Sequence, residues 1–135
     1  MYKNILIPVV LDPEHAPDAA LAVARHLAGL EANVTLLHVI EELPTYATSY
    51  IAADFMLRSR KEALSQLEAI AAKHEGVTAV VVNGHSARTI LDYAEKHKND
   101  CIIVSSHKPG VQDYFLGGTA ARVVRYAQCA VHVIR

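Results

Sequence analysis

Cys101-Ile102-Ile103-Val104-Ser105-Ser106-His107-Lys108-Pro109-Gly110 opens a unit that continues through Leu116-Gly117-Gly118-Thr119 and closes on Ala130-Val131-His132-Val133-Ile134. The apolar run at 101–104 does not alternate with polar residues, as expected of a strand buried on both faces. A polar, glycine-containing loop follows it, residues 118–127 have the length of a short helix, and 130–134 read as another strand. A strand, a crossover helix and a second strand make the unit of a parallel sheet.

The same alternation runs back to the start of the chain. Residues 5–10, Ile5-Leu6-Ile7-Pro8-Val9-Val10, read as a strand. From 17 to 30, Ala20, Val23, Ala24, Leu27 and Ala28 recur at helical spacing, an alanine-rich stripe suited to packing on a sheet. Residues 34–40 form the second strand, and a loop with Pro44, Tyr46 and Tyr50 follows. The spacing predicts a long helix over 55–74, with Leu57, Leu64, Leu67, Ile70 and Ala71 on one side. Gly76 stands where the end of that helix calls for a left-handed residue. Residues 77–82 are the third strand. Ser86 reads as the cap of a helix over 87–98, whose Lys96, His97 and Lys98 suit the negative end of a helix dipole. The order βαβαβαβαβ implies one α/β domain over 1–135: a doubly wound, five-stranded parallel sheet with helices on both faces. A flavodoxin-like strand order 3-2-1-4-5 puts 130–134 at an edge.

Composition narrows the function classes. In 135 residues, 52% are hydrophobic and 20% charged, too apolar for a disordered chain. No stretch approaches the roughly 20 apolar residues of a membrane span. Thirteen Lys and Arg against fourteen Asp and Glu give a net charge of −1, which argues against a nucleic-acid binder. Cys101 and Cys129 make neither a disulfide framework nor a Cys-x-x-Cys pair and read as base-of-sheet thiols. The opening residues lack the apolar stretch and cleavage site of a signal peptide, so the expected address is the cytoplasm.

Ligands of open parallel sheets bind beyond the carboxyl ends of the strands. The candidate loops are therefore 8–12, 39–42, 83–86 and 104–119. The last joins Ser105 and Ser106 to His107 and Lys108, then ends in Gly117-Gly118-Thr119 at a helix entrance. Small residues there let backbone N–H groups approach a phosphate, with the helix dipole and the cationic His107 and Lys108 in support. The plainer reading is a tight turn capped by Thr119. It is no Walker loop, since no Gly-Lys-Ser/Thr follows the glycines. The eight histidines fall on separate elements without a metal-ligand spacing, and no metal site is expected. Ser105 and Ser106 near His107 lack an acid partner for nucleophilic catalysis.

Over essentially the whole chain the order of elements resembles the universal stress protein family. The similar stretches are Tyr2 to Val9, Leu36 to Ile40, Ile102 to Pro109, Leu116 to Ala121 and Val123 to Arg135. The resemblance implies an adenine nucleotide alpha hydrolase-like fold. Nucleotide-binding members carry Gly-x2-Gly-x9-Gly-Ser/Thr before the last helix, and here Ser105 and Lys108 replace the first two glycines. A Ser-His-Lys/Arg-Pro variant of the loop occurs in a branch that resembles a nucleotide binder. The resemblance thus implies phosphate contact at Ser105, Lys108, Gly117, Gly118 and Thr119, beside Val104, Ser106 and His107. It implies nucleoside contact around Pro8, Val9 and Val10. Val10 stands where members usually place an Asp, so Asp12 is either its replacement or a helix-start residue before Pro13. Val39 would offer backbone hydrogen bonds to an adenine edge, or is simply a buried strand residue.

The leading expectation is a regulatory or stress-response module that binds an adenine nucleotide, ATP or AMP, with or without Mg²⁺. One rival is a slow ATPase or phosphoryl-transfer enzyme using Asp12 or Asp113. Another is a member that has lost nucleotide and acts through protein contacts. The expected partner is a second copy paired through Ala130–Ile134, an edge without proline or inward charge. The alternative is an edge covered by the loop around Tyr46 and Tyr50.

Overall fold

β-Branched and leucine residues crowd five short segments, and all five pair into one parallel sheet in the order β3-β2-β1-β4-β5. The chain was analysed as a computed structural model that describes residues 1–12, 16–42, 53–106 and 117–135. Its elements are β1 (Tyr2–Pro8), α1 (Asp18–Leu27), β2 (Ala28–Glu41), α2 (Ala53–Ala71), β3 (Val77–Gly84), α3 (Ser86–Lys96), β4 (Cys101–Ser105), α4 (Gly118–Tyr126) and β5 (Ala130–Ile134). The expected doubly wound 3-2-1-4-5 sheet is the one formed. The loop with Pro44, Tyr46 and Tyr50, and the segment holding His107, Lys108 and Asp113, lie outside the described residues.

Strand side chains alternate between the two faces, so each central strand feeds two cores. Ile5, Ile7, Leu36 and Ile103 pack with Ala20, Leu21 and Ala24 of α1 and Leu67 and Ala71 of α2. Leu6, Leu37, Ile102 and Val104 pack on the other face with Ile90 and Ala94 of α3 and Ala120 and Val123 of α4. Burial on both faces is why these strands read as continuous apolar runs.

Several boundaries differ from the sequence expectation. α1 stops at Leu27, three residues early, because Ala28 is already extended. The chain then bulges: Tyr2 pairs with Ala28 but Asn4 with Asn33, and between them Glu31 takes a positive φ of 60°. Leu30 is 98% exposed on this bulge, so its apolar character says nothing about the core. On α2, Phe55 and Leu57 are exposed, and packing begins further along, at Ala63, Leu64 and Leu67. Gly76 does take a left-handed φ of 74°, five residues past the last helical residue, in the turn that leads into β3. Its carbonyl accepts from Val34 N. Ser86 is the first residue of α3 and not its cap; His85 holds that position. The first described helix, α1, begins at Asp18, six residues past Asp12.

The pairing of β1 with β4 is short. Only Ile5 with Cys101 and Leu6 with Ile102 are in register, whereas β1 follows β2 as far as Pro8 with Leu37. Val9 N donates to Leu37 O at 2.8 Å, so the preceding residue turns its backbone toward β4. That residue is Pro8, which has no N–H to give, and the ladder ends there. The amino ends are held firmly. The Asp100 carboxylate accepts from Lys3 N and Asn4 N, both at 2.9 Å, and Asp100 N donates to Asn4 O. Cys101 is buried at this end, and burial pushes its thiol up to about 11; the half-buried Cys129 is raised for the same reason. Among the described residues no helix is long and apolar enough to cross a membrane.

Candidate functional site

Where β1 and β4 part, a cavity of about 500 Å³ opens at the carboxyl ends of the strands. This is the place where strand order reverses, with β2 to one side of β1 and β5 to the far side of β4. The volume falls within the range of small-molecule sites. Its floor is Ile7, Leu37, Ile103 and Val104, an apolar base reached where β1 and β4 no longer pair with each other.

Of the residues expected from the sequence, the cavity brings together Pro8, Val9, Val10, Val39, Val104, Ser105 and Thr119. Asp12, Ser106, Gly117 and Gly118 do not line it. Ser106 is buried and bridges the backbone: its N–H donates to Ile134 O at 2.8 Å and its carbonyl accepts from Gly117 N at 2.7 Å. The Gly117 N–H is thereby taken up within the protein. Gly118 opens α4, whose cap makes no side-chain hydrogen bond, and the first N–H groups of a helix have no intrahelical acceptor. Both backbone groups of Val9 are occupied, N by Leu37 O and O by His38 Nδ1 at 2.9 Å. Val10 is exposed at the rim, and its carbonyl accepts from Asp12 N. His107 and Lys108 lie outside the described residues.

Other lining residues were not expected as ligand contacts, although Ser86 lies in the candidate loop 83–86. Ala16, Pro17, Ala19 and Ala20 bring the start of α1 to the cavity, and Ser86 and Ile90 bring the start of α3. Three helix N-termini thus border one cavity. Each favours negative charge in its vicinity. Arg135, just beyond β5, is the charged residue among the described lining. Strand-end position pointed to Ser86; Arg135 was not among the candidates, though it too directly follows a strand.

The β2 side has the opposite polarity. Glu41 Oε1 accepts from Ser86 N at 3.2 Å and from the Ser86 hydroxyl, with His85 Nδ1 3.9 Å from its other oxygen. These bonds, the hydroxyl first, hold the Glu41 carboxyl below the usual carboxylate range. The carboxylate takes an N–H that α3 leaves open at its first turn. Among the described residues no group of three or more His, Cys, Asp or Glu assembles as a metal site.

A doubly wound sheet with a cavity at its switch point is the architecture in which open α/β proteins hold their ligands. The sequence model of the universal stress protein family matches residues 1–135, and the chain belongs to that family. It is 30% identical to the universal stress protein A homolog 2 of Coxiella burnetii, over 99% of this chain and 95% of that one. The structure of hypothetical protein MJ0577 is 27% identical and superposes with a TM-score of 0.82, over 99% of this chain and 96% of that one. Two further universal stress protein structures share the fold at 18% identity. One is in complex with cAMP, with a TM-score of 0.63 over 99% of this chain and 97% of its own. The other, from Archaeoglobus fulgidus, is in complex with dAMP, with a TM-score of 0.65 over 99% of this chain and 98% of its own.

Proposed function

We propose that this chain binds an adenine nucleotide, ATP or AMP, in the cavity between β1 and β4 and acts as a cytoplasmic regulatory or stress-response module. The observation that carries the reading is the cavity itself: an apolar floor with hydroxyls and helix N-termini at its margin. The base lies toward Val39 and the β2 end. The phosphates lie toward Ser105, Thr119 and the start of α4, with His107 and Lys108 of the same loop assigned to them from the sequence. Fold relatives in complex with cAMP and dAMP are consistent with this as an analogy at the level of the fold. Binding is favoured over phosphoryl transfer because the described acids of the candidate loops, Asp12, Glu41 and Glu42, are not among the lining residues.

The same reading includes a homodimer paired through β5, which has β4 on one side and no strand on the other in this sheet.

A thermal-shift titration with ATP, ADP and AMP tests the reading. A ligand that binds only the folded chain adds about 2.7 kcal/mol at 100 times its Kd, and the midpoint is expected to rise accordingly. A midpoint unmoved by millimolar concentrations of all three would overturn it.

A further inference from the structure

We propose that Arg135 reads the charge of the ligand: its guanidinium meets the phosphate at the β5 end of the cavity, so the site distinguishes a phosphorylated nucleoside from the bare nucleoside. The inference rests on the nucleotide-binding reading above and deepens it.

The backbone fixes where Arg135 stands. Ser105 pairs with Ile134, and Ser106 N donates to Ile134 O, so the residue after Ile134 sits beside the exit of β4. Ser106 O holds Gly117 N, which ties the entry of α4 to the same stretch of backbone. Arg135, Ser105 and Thr119 all line this end of the cavity, beside the first N–H groups of α4. Among the described residues no carboxylate pairs with Arg135, whose side chain is exposed.

The far end carries the opposite sign. Glu41 lies behind Ser86, at the end of β2. From β2 across β1 and β4 to β5 is three strand spacings, about 14 Å. The Glu41 carboxylate thus belongs to the β2 end and the Arg135 guanidinium to the β5 end. An uncharged base and an anionic group joined in one molecule match that arrangement in one orientation only. A guanidinium is always charged and presents a fork that fits phosphate oxygens, which makes Arg135 a residue able to register the anion.

Calorimetric titration of AMP and of adenosine into wild type, Arg135→Gln and Arg135→Lys, at low and high salt, tests this. AMP is expected to bind Arg135→Gln about tenfold more weakly, a loss near 1.4 kcal/mol, while adenosine binds it as it binds wild type. Arg135→Lys should recover part of the loss, and salt should weaken AMP binding to wild type more than to Arg135→Gln. The unliganded melting midpoints should agree, since an exposed side chain is being changed. An unchanged AMP affinity in Arg135→Gln, or equal losses for AMP and adenosine, overturns this inference and leaves the nucleotide reading standing. Failure of wild type to bind either compound overturns both.

Discussion

A Cβ placed on Gly118 would meet nothing within 4 Å. Valine should therefore fold at that position, and its branched side chain would stand over the first N–H groups of α4. Gly118→Val is expected to keep the unliganded melting midpoint near that of wild type and to lose the nucleotide-induced shift. A shift that survives would place the phosphates elsewhere. Cys101 gives a second residue-scale expectation. Its thiol goes from an ordinary value of 9.0 up to about 11 on burial, so the folded chain holds the proton after the unfolded chain has released it. Stability is then complete below pH 9 and falls as the pH rises toward about 11. Denaturant midpoints across that range should decline, and the decline should be shallower in Cys101→Ala. A wild-type midpoint that holds constant would contradict the burial of this thiol.

At the scale of elements, β5 is informative because its backbone alternates. Ile134 O accepts from Ser106, so Ile134 faces β4, and Val133 turns its N–H to the open edge. Proline at 133 would remove an outward donor and leave the pairing with β4 intact. Val133→Pro is expected to convert a dimer to a monomer by light scattering with an unchanged circular dichroism spectrum, whereas His132→Pro, on the inward side, should destabilise the fold. Wild type that scatters as a monomer at micromolar concentration would rule out the β5 dimer. The five strands were legible because burial on both faces demands apolar runs, which a sequence displays directly. The ends of helices were less so. Alanine and leucine suit both a helix and the bulge after it, and the local stop signal is Gly29, directly past the Ala28 cap. The run 5–10 reads as one strand through Pro8, yet β1 stops there, because the effect of Pro8 on the ladder depends on β4 being its neighbour. The Glu41 contact with Ser86 spans 45 residues and follows from sheet order alone. The cavity was half legible for the same reason: strand ends could be listed, but which of them share a wall depends on the order in which strands lie.

The whole molecule is pinned at one end and open at the other. Asp100 and Asn4 lock the amino ends of β1 and β4, two residue pairs carry the ladder onward, and Pro8 ends it. Such a sheet is a seam sewn along part of its length, and amide exchange can report where the stitching stops. Deuterium should enter slowly at Asn4 to Leu6 and at Asp100 to Ile102, where opening requires breaking both cores. Past the last stitch, exchange should quicken toward the cavity, and a bound ligand should slow it there while leaving the sewn end unchanged. The proposed site is then the stretch of the seam that the chain itself leaves unsewn, where a ligand would enter at small cost because no strand has to be pulled apart.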